Sequence, residues 1–308
     1  MEETEWICRT VLAQTGSVPE RCFPAGKGAS GSVYRIELKD GRVLAVKRSA
    51  YEDLAREEYE GLTFLRAHSP LPSPEPYFLC PAEQEKPEWL IGMEWIDGIS
   101  AENPLLRFHG REKRENYVRS ILSALKRLQS VTNMRFGEIG GPLYDSWDAY
   151  YQPFALQQLE FARQSRREER LAPEVLEAME MAFSCYGKIF AQEPRHAVLT
   201  HGDFWTPNML MDPKTLELRA VLDPFRVKWA DPDYELFALK VGAGARFHLY
   251  ERYKERMGIG AEADVKTEFY ALFSEIFWYS RLGSISHPFL KDKSRSLLRE
   301  MKRRGIRA

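Results

Sequence analysis

Three stretches of this chain carry residues whose types and spacing could transfer a phosphoryl group. His201-Gly202-Asp203-Phe204-Trp205-Thr206-Pro207-Asn208 sets a carboxylate and an amide on one short loop. Asp203 there could orient an attacking hydroxyl and accept its proton, while the Asn208 amide oxygen could join a divalent cation. Asp223 ends the next apolar run, Leu218–Asp223, and a hairpin would return it to the same end as Asn208. A carboxylate and an amide oxygen, completed by phosphate and water oxygens, form a Mg2+ site by ligand hardness. Gly26–Val33 fits G-x-G-x-x-G-x-V, with Gly26, Gly28, Ser30 and Gly31 as candidate phosphate contacts. Backbone N–H groups of such a loop approach phosphate oxygens with no Cβ in the way. Leu44-Ala45-Val46-Lys47 then brings one ammonium beneath the loop. Each has a plainer reading as well: a structural turn for the glycines, a solvated strand end for Lys47, a hydrogen-bonding support of the loop for His201.

The elements that must position these groups follow from periodicity. Trp6, Ile7, Val11 and Leu12 read as a short leading helix ended by Gly16 and Pro19. Val33–Leu38 alternates, Asp40-Gly41 signals a tight turn, and Val43–Val46 resumes, so two antiparallel strands should carry the glycine loop and Lys47. A helix over 51–66 should hold the carboxylate that fixes Lys47. Glu58 is the candidate because Leu62 and Leu65 lie on its face, with Glu57 and Glu60 as alternatives. A proline-rich linker over 70–76 precedes a strand at Trp89–Trp95. Beyond Gly98 the pattern is helical near 111–131, 147–165, 173–190, 232–241, 245–257 and 263–282, interrupted by short strands around 197–223. The expectation is an α+β chain with a small antiparallel-sheet lobe over 1–97 and a larger helical lobe over 98–308.

A strand, not a helix, follows the last glycine of the loop, which disfavours a dinucleotide cofactor. In order and spacing, the loop, Lys47, Glu58, the His201–Asn208 segment and Asp223 resemble the two-lobed protein-kinase-like fold. HGD at 201–203 and Asp231-Pro232-Asp233-Tyr234-Glu235-Leu236 resemble the aminoglycoside phosphotransferase and choline kinase superfamily, with fructosamine-kinase-like features in HGDFW and Asp223-Pro224. The resemblance implies ATP and Mg2+ as cofactors, Asp203 as base, and Asn208 and Asp223 as metal ligands. It implies Lys47 on the α- and β-phosphates with Glu58 as its partner. It also implies adenine pairing to the Glu94 C=O and Ile96 N–H, flanked by Met93. Asp231, an N-cap followed by Pro232, should start a helix and brace the catalytic loop.

Asp231 follows Asp223 too soon for a peptide-docking activation segment, so the acceptor should be a small molecule held by the helical part. Asp145, Asp148, Asp231, Asp233 and Glu235 are the acidic candidates for binding an amine-bearing acceptor. The other class of function is a nucleotide-binding pseudokinase that serves as an interaction module.

With 44 Lys+Arg against 45 Asp+Glu in 308 residues, the chain lacks the basic excess of a nucleic-acid-coating protein. The balance is a cancellation: residues 1–97 hold 11 basic and 17 acidic side chains, 98–290 hold 25 and 26, and 291–308 hold 8 and 2. The basic end reads as a solvated helix face. No apolar run approaches membrane-spanning length, the N-terminus is acidic where a signal peptide is basic, and four scattered cysteines suggest neither zinc nor disulfides. A cytoplasmic enzyme without nucleic-acid or membrane partners is the expectation. Oligomeric state has no signal here.

Overall fold

A computed structural model describes residues 2–28, 31–81, 88–283 and 286–307. Elements run in chain order α1 (Glu2–Thr15), β1 (Pro19–Lys27), β2 (Gly31–Leu38), β3 (Val43–Ser49), α2 (Glu52–His68), β4 (Pro76–Cys80), β5 (Trp89–Glu94), β6 (Ile99–Ser100) and α3 (Arg111–Gln129). Next come β7 (Thr132–Asn133), β8 (Gly137–Glu138), α4 (Trp147–Arg167), α5 (Pro173–Ser184), α6 (Tyr186–Ile189), β9 (Ala197–Thr200), β10 (Met209–Met211), β11 (Leu218–Val221) and β12 (Lys228–Ala230). α7 (Ala243–Arg246), α8 (Leu249–Met257), α9 (Glu262–Leu282) and α10 (His287–Arg303) follow. The class is α+β. Packing divides the chain into two compact units, 1–131 with 201–227, and 132–200 with 228–308. The lobe boundary expected at 97/98 falls within the first unit.

In the first unit an antiparallel sheet runs in the order β1-β2-β3-β5-β4. Side chains of a strand alternate between faces, and β3 shows what that does here. Leu44 and Val46 join Ile36, Leu90 and the α1 residues Trp6, Ile7 and Val11 on one face. Ala45 joins Ile91, Met93 and the α2 residues Ala55 and Leu62 on the other. Lys47, two residues after Ala45, therefore shares the face that α2 covers. A second small sheet, β11-β10-β6, lies in the same unit, with β6 paired to β10 through Leu210↔Ser100 and Met211↔Ile99.

The second unit is built on a different principle. Its core is aromatic: Trp147 stacks on Tyr151 with ring centres 5.0 Å apart, and Phe269 stacks on Phe273 at 4.0 Å. Helices α4, α5, α9 and α10 pack around these rings. Leu290, Leu297 and Met301 of α10 are buried, so the basic end of the chain is a docked amphipathic helix that carries most of its charge outside, with Lys293 buried.

Several expected helices differ in detail. The span 173–190 breaks at Cys185, and 245–257 breaks at His248, whose φ of 54° is left-handed. The helix expected from 232 does not form at Asp231. Its Oδ1 accepts from the Asp233 N–H at 2.8 Å, closing a turn, and a short 3-10 segment follows at Leu236–Lys240.

Candidate active site

The face alternation of β3 puts Lys47 under α2, and α2 supplies its partner. Lys47 Nζ lies 2.6 Å from Glu58 Oε2 and 2.7 Å from Asp223 Oδ1. Of Glu57, Glu58 and Glu60, Glu58 is the one that meets it. Lys47 also stands opposite Val33, the last residue of the glycine motif. Burial by itself would lower the Lys47 pKa, but the two carboxylates outweigh it and hold the ammonium charged above its usual range. Burial raises the Glu58 carboxyl to about 8 against the pull of Lys47, and Asp223 adds to the rise.

Asp223 is delivered by the β10–β11 hairpin. The Leu222 N–H donates to the Asn208 C=O at 2.7 Å, which sets Asp223 beside the end of the 203–208 loop. β11 ends at Val221, so Asp223 lies beyond the strand, at φ 57°. Aspartate tolerates this left-handed region better than most side chains. Asn208 Nδ2 donates to Asp203 Oδ2 at 2.7 Å and to the Asp203 C=O at 3.1 Å, which ties the candidate base to the candidate metal ligand. Among the described residues nothing donates to Asn208 Oδ1. That oxygen and the Asp223 carboxylate are hard donors suited to Mg2+. Among the described residues no three His, Cys, Asp or Glu side chains gather as a metal cluster, so phosphate and water would complete the shell.

Gly202 explains why HGD stands at 201–203. Its φ is 84°, and a Cβ there would lie 1.6 Å from the Phe225 carbonyl oxygen. The loop is thus pressed against the backbone that follows Asp223, an approach sealed by the Phe225 N–H donating to the His201 C=O at 3.1 Å. His201 is fully buried, and burial pulls its pKa down to about 4, so the ring is neutral near pH 7. Its support comes from packing edge-on to Phe204, from the Asp203 backbone that faces the ring, and from its own carbonyl.

The glycine motif forms the β1–β2 connection. The Gly28 N–H donates to the Gly31 C=O at 2.8 Å, and Ser30 lies outside the described residues. A Cβ at Gly31 would stand 1.7 Å from the Arg48 carbonyl oxygen, so this glycine is required by strand pairing. Among the described residues a Cβ at Gly26 or Gly28 would meet nothing within 4 Å. Met93 is buried on the α2 face, Glu94 ends β5, and among the described residues the Ile96 N–H has no acceptor.

Four of the acidic candidates of the second unit already have protein partners. Lys266 Nζ lies 3.0 Å from Asp231 Oδ2 and 3.2 Å from Asp233 Oδ2, and the Tyr270 hydroxyl donates to Asp231 Oδ2 at 2.9 Å. The partners of Asp231 thus come from α9. Asp145 pairs with Arg135 at 3.0 Å, and Asp148 accepts from the Tyr186 hydroxyl at 3.1 Å.

One contact had no signal in the sequence. Thr206, within the loop, donates to Glu102 Oε2 at 2.6 Å across 104 residues of chain.

Comparison with known proteins bears on the family and the fold. The chain matches the phosphotransferase enzyme family over residues 22–264. It is 29% identical over 114 residues to "Uncharacterized protein YcbJ" of Escherichia coli (strain K12); the match covers 37% of this chain and 38% of that relative's length. In fold it is similar to a Thermobifida fusca protein assigned as a fructosamine-3-kinase, with TM-score 0.67 and 20% identity over 95% of this chain and 98% of that one. It is also similar to a thermostable mutant of the aminoglycoside phosphotransferase APH(4)-Ia in ternary complex with AMP-PNP and hygromycin B. There the TM-score is 0.70 at 12% identity, over 96% of this chain and 98% of that one. At such identities the two structures speak for the fold alone. The family match covers well over half of the chain, which therefore belongs to the phosphotransferase enzyme family.

Proposed function

We propose that this protein is an ATP- and Mg2+-dependent small-molecule kinase that phosphorylates a hydroxyl of a sugar-like or amine-bearing acceptor, in the manner of fructosamine kinases or aminoglycoside phosphotransferases. The observation that carries this reading is Lys47 Nζ held 2.6 Å from Glu58 and 2.7 Å from Asp223, in a chain of the phosphotransferase family. Asp203 accepts the proton of the acceptor hydroxyl as it attacks, and Asn208 keeps the Asp203 carboxylate oriented. Lys47 contacts the α- and β-phosphates, with Glu58 fixing the position of its ammonium. The Gly26–Gly31 loop adds backbone donors, and the Glu94 C=O and Ile96 N–H pair with adenine beside Met93. Asn208 and Asp223 would hold Mg2+, which when bound neutralises phosphate charge.

Nucleotide contacts thus come from 1–97 and the catalytic segments, and acceptor contacts from the rest of 98–308. A cytoplasmic location belongs to the same proposal; among the described residues no helix is long and apolar enough to cross a membrane.

The test is an acceptor screen with purified protein, MgATP and ADP release, across ketoamines, aminoglycosides, choline and simple sugars. ADP release dependent on one of these classes is the expected result, and a fructosamine accepted in preference to kanamycin would fix the substrate class. MgATP binding with no turnover on any acceptor would favour the interaction module instead.

A further inference from the structure

Thr206 sits midway between Asp203 and Asn208 and is 1% exposed, so its hydroxyl cannot turn to water for an acceptor. It finds Glu102 Oε2 at 2.6 Å, a length typical of a charge-assisted bond from hydroxyl to carboxylate. Glu102 stands on the turn after β6. The Ala101 N–H donates to the Met209 C=O at 2.9 Å, and the Glu102 N–H donates to Ser100 Oγ at 3.1 Å. The catalytic loop is thus anchored at its start by the Phe225 N–H to His201 C=O bond and at its exit by the β6–β10 ladder. Its middle is tied by a side-chain bond between Thr206 and Glu102.

We infer that Glu102 is a positioning residue for phosphoryl transfer, acting through Thr206 to set Asp203 and Asn208. The inference rests on the kinase reading above. Physically, the loop is short and rises through a 3-10 turn at Thr206–Asn208, so a shift at Thr206 is passed to both neighbours. A displacement of roughly 1 Å at reacting groups can lower the rate about a hundredfold. Glu102 also follows directly from the segment that carries the Ile96 N–H, which has no acceptor among the described residues. The nucleotide contact and the catalytic loop are therefore referenced to one continuous stretch, 96–102.

The test compares Glu102→Ala, Glu102→Gln, Thr206→Val, Thr206→Ser and the double variant Glu102→Ala/Thr206→Val. Two readouts are taken: steady-state ADP release from MgATP, and amide hydrogen exchange across 201–210. Glu102→Ala and Thr206→Val should each lower kcat about ten- to a hundredfold while the KM for MgATP moves less than about threefold. The double variant should be no worse than either single one, and Thr206→Ser should restore most of the rate. Exchange should quicken in 201–210 and stay unchanged in β2 and β3.

A kcat within about threefold of wild type in both single variants, with unchanged loop exchange, would overturn the inference. So would additive losses in the double variant, or a loss accompanied by faster exchange throughout the first unit, which marks a merely structural role. If the wild-type protein turns over no MgATP, the kinase reading falls, and the exchange comparison still decides whether Glu102 holds the loop.

Discussion

Each unit of this protein holds a lysine between two carboxylates, and the two clusters differ in one respect. In the first, the side chains of Lys47 and Glu58 are 8% and 6% exposed, but that of Asp223 is 44% exposed. In the second, Lys266, Asp231 and Asp233 are 6%, 2% and 15% exposed, and Tyr270 takes a further lone pair of Asp231. The same chemistry is left open in one place and closed in the other. An open carboxylate beside a fixed ammonium is available to a ligand. A closed one can only hold the fold, and the Trp147 indole N–H, donating at 2.9 Å to the Tyr270 hydroxyl, extends that closed network into the aromatic core.

Replacing the two lysines should separate these roles most strongly. Lys47→Met should lower turnover about a hundredfold or more, because the proposed phosphate contact loses its preorganised charge. It strands only Glu58, whose raised pKa lets it take a proton, so stability should fall by about 1–2 kcal/mol. Lys266→Met leaves buried Asp231 and half-buried Asp233 without their cation and should cost about 3–5 kcal/mol. Urea unfolding and ADP release on both variants check this; equal stability losses would break the comparison.

Glycine substitutions sharpen it at a smaller scale. Gly202→Ala puts a Cβ where the Phe225 carbonyl oxygen stands and should destabilise by about 2–4 kcal/mol while lowering turnover. Gly187→Ala in α6 meets nothing within 4 Å and should gain up to about 1 kcal/mol by helix propensity. Thermal unfolding of both variants is the check.

Acid should act through His201 of the first unit and Asp233 of the second with opposite signs. His201 has its pKa lowered from 6.5 to about 4 by burial, so its contribution is present above pH 6.5 and is lost as pH falls toward 4. Asp233 has its pKa raised from 3.8 to about 6, by burial first and Asp231 second, so its contribution is present below pH 3.8 and is lost as pH rises through 6. Each has an upper limit of about 3 kcal/mol. Unfolding free energies between pH 4 and 6.5 should fall less steeply on acidification in His201→Leu and more steeply in Asp233→Asn. The same pH slope in all three proteins would contradict both assignments.

What the residues foretold follows the same division. The hairpin of β2 and β3, α2, and the choice of Glu58 were legible because Val33–Leu38 alternates and Leu62 and Leu65 mark the inward face of α2. Strands β1 and β4 were not. They are the two edges of the sheet; β1 is largely exposed and contains Pro19 and Pro24, while β4 begins at Pro76. Proline suits an edge and obscures alternation. The helix expected at Asp231 gave way to a turn, because its carboxylate closes on Asp233 and is held by Lys266 and Tyr270 from a distant helix. Glu102 left no trace for the same reason: its partner is remote in sequence, and no periodicity encodes such a bond.

The most direct test of the central claim is Asp203→Asn, with MgATP binding followed by thermal shift and phosphoryl transfer by ADP release on the best acceptor. MgATP should still stabilise the variant while turnover falls about 10²- to 10⁴-fold. Turnover near that of wild type would contradict the claim.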